Sequence, residues 1–177
     1  MEKAQQCLGR AITVQPNEGH RKYFSLAQLF SGQEALELFK QGIKIIEAIL
    51  PKLDPESEEA KETRKEFSSA FCAIAELYMT DLCDHPEAEI ECTQSVQKAV
   101  EVDAKNPEAW QTKARLHIVK REFQEAKIDL DKSLNLWLPT YQAVLENRAH
   151  EAIQNFDPVE VCPLLYTTRL STGEYML

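Results

Sequence analysis

The sequence predicts an all-α protein built from stacked helical hairpins, and three observations support this. Apolar residues recur at three- and four-residue steps through most of the chain, which is the spacing of one face of an α-helix. Only 5 of the 177 residues are glycine, which disfavours a turn-rich β protein. One pattern of small and large residues also recurs along the chain, which indicates copies of one helical unit.

The clearest hairpin is predicted between Asn106 and Leu136. Asn106 is a good N-cap, and Pro107 suits the first helical position, where its missing N–H would have had no partner. A polar stretch at 120–122 separates this helix from the next. The apolar faces of the two helices are Trp110, Ala114, His117 and Ile118, then Ala126, Leu130, Ser133 and Leu134.

The second helix of this hairpin carries a small, a large and a small residue at steps of four and three, which we call a column. Small residues are expected where two helix backbones approach closely. The four columns are Ala4, Leu8 and Ala11; Ala35, Phe39 and Gly42; Cys92, Val96 and Ala99; and Ala126, Leu130 and Ser133. Together with Trp110 and Ala114, this pattern resembles the tetratricopeptide (TPR) repeat, which implies a stack of hairpins sharing one core.

First helices precede three of the four columns. Their apolar residues are Tyr23, Leu26, Ala27 and Phe30; Phe71, Ile74, Ala75 and Tyr78; and the Trp110 face. The resulting boundaries are a half repeat at 1–16, repeats at about 19–51, 55–104 and 107–138, and an extension at 139–177. We therefore expect a TPR-type helical-hairpin solenoid that is incomplete at both ends, with apolar surface available for self-association.

Local signals set the expected helix boundaries. Short and long helices are expected at 20–30 and 34–50. Asp54 can cap a helix that begins at Pro55 and runs to about Cys83. After Leu136 the sequence breaks the repeat pattern. The extension is expected to hold a helix at 141–153, a linker at 155–163 and the opening of a further first helix at 164–170.

The turn after Cys83 is longer than its counterparts and strongly acidic. Five carboxylates fall in or beside it without a Lys or Arg among them, and we call them the acidic turn: Asp81, Asp84, Glu87, Glu89 and Glu91. Two interpretations stay open. The cluster is either a solvated bend with acidic residues at a helix start, or a contact surface for a basic partner.

Composition restricts the partner and the compartment. The net charge of −9 and the sequence pI near 5.0 disfavour direct nucleic-acid binding and suit a basic protein segment. No apolar run is long enough to span a membrane, and no basic-then-apolar leader opens the chain. Five cysteines without paired spacing suit a reducing compartment. An intracellular, soluble protein is expected.

Signals for catalysis are weak. Cys83, His85 and Cys92 lack the spacing of a metal knuckle and a fourth ligand, so Cys92 is expected to be a small core residue. Cys72 with a histidine, His117 or His150, lacks a flanking nucleophile motif. Phosphate-binding, zinc-protease and serine-hydrolase strings do not occur. No cofactor, no metal and no enzymatic activity are therefore expected.

Longer strings narrow the resemblance. PNEGHRKYFSLAQLFSGQEALELFKQGI, FCAIAELYMTDLCDHPEAEIECTQSVQKAV and FDPVEVCPLLYTTRLST resemble the dedicated assembly chaperones of large-subunit ribosomal protein four. The resemblance covers nearly the whole chain, and the string from Phe71 to Cys83 is more specific than the columns. It implies a TPR solenoid that shields the basic extension of the newly made ribosomal protein until it joins the pre-60S particle, and hence a cytoplasmic and nuclear location.

In a TPR array the first helices line a concave groove, so eight residues are expected to face it by hairpin register. These are Phe24, Gln28, Cys72, Glu76, Met79, Gln111, Arg115 and Ile118. Apolar members would anchor the segment, and the acidic turn would steer it.

Two other binding roles remain alternatives. A TPR co-chaperone that grips a C-terminal carboxylate needs cations and amides in the groove, whereas the corresponding positions hold Phe24, Gln28, Glu108 and Thr112. That role is disfavoured. A generic scaffold subunit of another complex stays open.

Overall fold

The structure is a computed structural model, and it describes residues 2–145. The described residues form seven α-helices and no strand, which confirms the all-α prediction. The helices are α1 (Glu2–Val14), α2 (His20–Ala27), α3 (Gly32–Ile49), α4 (Glu58–Met79), α5 (Ala88–Val102), α6 (Pro107–Val119) and α7 (Phe123–Leu145). A short 3-10 turn, Leu50–Lys52, follows α3. Most of the extension, residues 146–177, lies outside the described residues.

The helices pack as hairpins within two compact units, which divide at Asp103 and Ala104. In the first unit α2 packs on α3, α4 packs on α5, and α1 contacts α2. In the second unit α6 packs on α7. Three consecutive first-and-second-helix pairs are therefore present, as the repeat pattern predicts.

The columns of the three paired second helices are buried within their hairpins. Every residue of these three columns is buried: Ala35, Phe39, Gly42, Cys92, Val96, Ala99, Ala126, Leu130 and Ser133. The predicted burial of Ala35, Cys92 and Ala126 is confirmed, at 1%, 2% and 3% exposure. The column of α1 differs, because α1 contains no buried residue.

Polar groups in these columns form hydrogen bonds across the helix pairs. The Ser68 hydroxyl of α4 donates to the Ala99 carbonyl of α5 at 2.9 Å, and the Cys92 thiol donates to the Ala75 carbonyl at 3.5 Å. In the second unit the Ser133 hydroxyl donates to the Pro107 carbonyl at 2.9 Å. Small side chains let the backbones come close enough for these bonds, which also satisfy polar groups that would be costly to bury alone.

The predicted start and end of α4 are wrong by a few residues. The helix begins after Ser57, whose hydroxyl accepts the Ala60 amide at 3.1 Å, rather than after Asp54. The Asp54 carboxylate instead accepts the Glu56 amide at 3.1 Å, so it shapes the turn before the helix. At the other end α4 stops at Met79 rather than near Cys83. Helices α2 and α3 are also shifted by one to three residues from the predicted bounds.

Helix α7 continues through Pro139 to Leu145, whereas a separate helix was expected from residue 141. An interior proline costs about 3 kcal/mol in a helix, since it removes one hydrogen bond and crowds the preceding turn. Side chains of the same helix pack together beside the proline. Trp137 is 5% exposed and packs against Leu134, Leu138 and Tyr141. The predicted domain boundary at 138/139 therefore falls inside a helix.

Candidate protein-binding site

The acidic turn joins α4 to α5 and is tied down by its own hydrogen bonds. The Leu82 amide donates to the Leu77 carbonyl at 2.8 Å, and the Ala88 amide donates to the His85 carbonyl at 2.9 Å. The His85 ring packs edge-on against Tyr78, with ring centroids 6.2 Å apart. The bend is thus an ordered platform for its carboxylates.

Asp81 has a structural partner that the sequence did not reveal. Its carboxylate accepts the backbone amide of Gly32 at 2.9 Å, at the first residue of α3. A negative charge at a helix N-terminus is favourable because the first amides of a helix lack internal partners. Gly32 adopts a φ of 57°, which glycine tolerates readily, and Leu82 lies against it. Asp81 therefore connects the acidic turn to the start of α3.

The remaining carboxylates of the acidic turn face water to different degrees. Asp84, Glu87 and Glu89 are exposed, and Glu91 is half-buried. Glu89 and Glu91 lie in the first turn of α5, where their charge favours the helix. Favourable charge at a helix start therefore accounts for Glu89 and Glu91. Asp84 and Glu87 precede the first helical residue of α5.

Tyr78 shows that the cluster includes a carboxylate from a different helix. Burial raises the pKa of the Tyr78 hydroxyl above its usual value, and the charges of Glu91, Glu87 and Glu37 raise it further. Glu37 belongs to α3, which the connection through Asp81 brings to the bend. Sequence analysis missed Glu37 because no local spacing relates α3 to the acidic turn.

The predicted groove residues of the first unit divide into two groups. Gln28 and Glu76 are exposed and Met79 is half-buried, so these side chains are accessible. Phe24 is half-buried and packs inside its own hairpin, with ring centroids 5.6 Å from His20 and 5.8 Å from Phe39. Its role as a surface anchor is therefore limited.

Cys72, at 2% exposure, is a correction to the predicted groove. It lies between Ser68 and Ala75 on the face of α4 that contacts α5, because those two residues bond to Ala99 and Cys92 of that helix. Its side chain is therefore turned toward the partner helix rather than toward an open groove.

In the second unit, Gln111 requires the same correction. It is 5% exposed and lies between Pro107 and Ala114, on the face of α6 that bonds to Ser133 of α7. Arg115 and Ile118 are half-buried. In each unit, therefore, one residue predicted to face the groove lies on the buried face of its helix instead.

A charged network links α6 and α7. The buried Asp129 carboxylate lies 3.2 Å from the Lys132 ammonium, 3.6 Å from that of Lys113 and 3.4 Å from the His117 ring. The Lys113 ammonium also lies 5.3 Å from the centroid of the Trp110 ring, and the Lys132 ammonium lies 4.2 Å from it. A buried carboxylate is costly unless it is paired, so this network is a structural feature of the hairpin.

The cysteine and histidine side chains in and after the acidic turn differ in exposure. Of the three cysteine and histidine residues considered as ligands, Cys83 and His85 are exposed and Cys92 is buried. Within 2–145, no group of three His, Cys, Asp or Glu side chains could hold a metal ion. None of the described helices is both long enough and apolar enough to cross a bilayer.

Comparisons with known proteins identify a relative. No family model matches the chain. Over 130 residues the chain is 37% identical to a Schizosaccharomyces pombe (strain 972) protein described as "Probable assembly chaperone of rpl4". The match covers 73% of this chain and 38% of the relative, so the chain spans less than half of that protein's length.

A solved structure has a fold similar to that of this chain. "Assembly Chaperone of RpL4 (Acl4) (Residues 1-338)" is similar with a TM-score of 0.69 over 96% of this chain and 76% of that chain. At 23% identity this likeness concerns the fold alone, and it supports the predicted TPR-type helical-repeat fold. The sequence match confirms the predicted resemblance, since the chain is similar to a protein described as an assembly chaperone of rpl4.

Proposed function

We propose that this chain is a non-enzymatic chaperone that binds newly made large-subunit ribosomal protein four through a basic segment and supports its delivery to the pre-60S ribosome. The observation that carries the proposal is the 37% identity over 130 residues to a protein described as an assembly chaperone of rpl4. A chaperone with this role would act in the cytoplasm, where ribosomal proteins are made, and in the nucleus, where they are assembled.

The electrostatics of the chain support a basic client. The net charge is −9, and three exposed carboxylates of the acidic turn, Asp84, Glu87 and Glu89, project from an ordered bend. A field of one sign speeds the encounter with a segment of opposite charge. The accessible first-helix residues Gln28 and Met79 would then supply polar and apolar contacts. Ribosomal RNA is a poor direct ligand for the same electrostatic reason.

Binding is tested with the purified chain and immobilised ribosomal protein four. Association should be saturable and should weaken as salt is raised, because exposed charges are screened within about 10 Å at 0.1 M salt. The control is another large-subunit ribosomal protein of similar net charge. Equal affinity for both would indicate unselective attraction of a basic protein to an acidic one, and would contradict a dedicated chaperone.

A second experiment tests chaperoning itself. Ribosomal protein four is diluted from denaturant at low salt, with and without the chain, and its aggregation is followed by light scattering. We expect the chain to suppress scattering at an equimolar ratio. An acidic protein of the same net charge but without helical repeats serves as the control, and equal suppression by that protein would contradict the proposal.

A further inference from the structure

A groove of about 1000 Å³ lies in the first unit between α3 and α5 and over α4. Both walls are second helices of their hairpins, so the groove differs from the first-helix surface proposed for the basic segment. Nothing in the proposed function assigns this groove a role.

The floor of the groove is apolar and comes from α4. It consists of Phe67, Phe71 and Ile74, which are spaced by four and three residues and therefore share one face of the helix. The two phenylalanine rings pack against each other, with centroids 5.1 Å apart. Phe71 is half-buried, whereas Phe67 and Ile74 are buried at 8% and 4% exposure. Phe71 is therefore the floor residue most available to a bound segment.

Both walls carry the same order of charges. Along α3 the charged lining residues are Glu37, Lys40, Lys44 and Glu47, and along α5 they are Glu91, Lys98 and Glu101. Glu37, Lys44 and Glu47 have the same sequence intervals as the three on α5. Glu37 and Glu91 both act on Tyr78, which places this acidic pair at one end of the groove. Lys98 lies 3.6 Å from Glu101 on the same helix. The walls thus present acid, then base, then acid.

The charge order argues for a specific kind of ligand. A segment that is basic throughout would meet Lys44 and Lys98 in the middle of the groove, where like charges are unfavourable. A helix with basic residues on its outer turns and acidic residues at its centre complements all three levels. At about 1.5 Å per residue, the walls from Glu37 to Glu47 match roughly three turns of helix.

We propose that this groove binds an amphipathic helix of a protein partner, with an apolar stripe on the α4 floor and basic, acidic and basic residues along its flanks. Binding of a helix in an apolar groove is a common mode of peptide recognition, in which apolar anchors give affinity. The charges on the walls give selectivity among helices of similar hydrophobicity.

The test uses two designed helical peptides of identical composition and the full chain. Both carry the same apolar stripe. The matched peptide has Lys on its outer turns and Glu at its centre, and the inverted peptide has these charges exchanged. Each charge pattern is symmetric, so the peptides can bind in either direction. By fluorescence anisotropy at low salt we expect the matched peptide to bind about 3- to 10-fold more tightly, and this advantage should shrink as salt is added.

Two variants assign the binding to the groove. Lys44→Glu with Lys98→Glu reverses the central charge of both walls and leaves Lys40 as the remaining lysine of the lining, so the ratio of the two affinities should fall toward one. Phe71→Ala should weaken both peptides alike and leave the ratio unchanged. The control is Lys3→Glu with Lys127→Glu, two exposed lysines outside the groove, which changes the net charge equally and should preserve the ratio.

Because the ratio compares two peptides on one protein sample, a partial loss of folded protein does not alter it. Equal binding of the two peptides by the parent chain would overturn the proposal, as would no binding of either up to about 1 mM, a negligible affinity. An unchanged ratio in the Lys44 and Lys98 double variant would equally overturn it, since the peptides would then bind elsewhere.

Discussion

Gly42→Ala should destabilise this protein, although glycine-to-alanine changes inside helices usually stabilise. Gly42 lies in α3, and its position faces the ring of Phe24. A Cβ placed there would lie 2.7 Å from Cδ1 of that ring and still nearer to its Cε1, far inside van der Waals contact. The ring must move or the two helices must separate.

Two opposing effects set the size of the change. Alanine is favoured over glycine in a helix interior by about 1 kcal/mol. Overpacking a close contact costs about 1 to 3 kcal/mol. The expected net effect of Gly42→Ala is therefore a loss of about 0 to 2 kcal/mol. Gly9→Ala is the control, because a Cβ added at Gly9 in α1 would have open space around it. This change should stabilise the protein by up to about 1 kcal/mol.

The assay is urea unfolding of four proteins: the parent, Gly42→Ala, Phe24→Ala and the double variant. Removing the Phe24 ring removes the obstacle, so Gly42→Ala should stabilise the Phe24→Ala protein by about 1 kcal/mol. The sign of the alanine effect thus changes between the two backgrounds. If Gly42→Ala stabilised both backgrounds equally, Phe24 would not pack on Gly42, and the close approach of α2 to α3 would be refuted.

Three further changes test other parts of the structure. Ala126→Leu overpacks a residue that is 3% exposed and should cost about 1 to 3 kcal/mol, and an unchanged urea midpoint would refute the α7 register. Asp81→Ala should cost about 1 kcal/mol by removing the acceptor of the Gly32 amide, whereas Asp81→Asn should cost less because its side-chain oxygen can still accept. Val14, at 71% exposure on α1, belongs to the surface expected to self-associate, so Val14→Lys should lower the sedimentation coefficient at high concentration. A parent protein that stays monomeric there would contradict self-association.

The hairpins were predictable because their signals are periodic. Small residues such as Ala35, Cys92 and Ala126 predict the closely packed faces from the sequence alone, and all three are buried. Burial of small residues at a fixed interval is a strong sequence signal, since large residues at those positions would force the backbones apart.

Helix ends were less predictable, because several residues can perform the same local task. Asp54 and Ser57 are both good N-caps, and a proline after Asp54 favoured the wrong one. Pro139 predicts a break when only the local chain is considered. Helix α7 nevertheless runs through Pro139 to Leu145, and Trp137 packs there against Leu134 and Tyr141 of the same helix.

The candidate site was predictable only in part. The acidic turn was identified by composition, but the use of Asp81 at α3 and the proximity of Glu37 depend on contacts between distant parts of the chain. For Cys72 and Gln111 the helix was predicted correctly and the face was not. Successive helical residues differ by about 100° in direction, so a small error in register turns a surface residue into a buried one.

We propose that the acidic turn and the first-helix surface together hold a basic ribosomal protein segment. The decisive variant neutralises four carboxylates and leaves Asp81 in place for its bond to Gly32. Its substitutions are Asp84→Asn, Glu87→Gln, Glu89→Gln and Glu91→Gln. Met79→Ala tests the first-helix surface. The charge-matched control neutralises exposed residues elsewhere, namely Glu2, Glu56, Glu59 and Glu125.

The measurement is the binding kinetics of ribosomal protein four to these variants of the full chain at low salt. Individual exposed pairs contribute about 0 to 1 kcal/mol, so only the whole cluster should have a measurable effect. Neutralising the acidic turn should lower the association rate on the order of 3- to 10-fold and more than the control does, while Met79→Ala should mainly raise the dissociation rate. An association rate equal to that of the control variant would show that the acidic turn is a solvated bend with no part in binding.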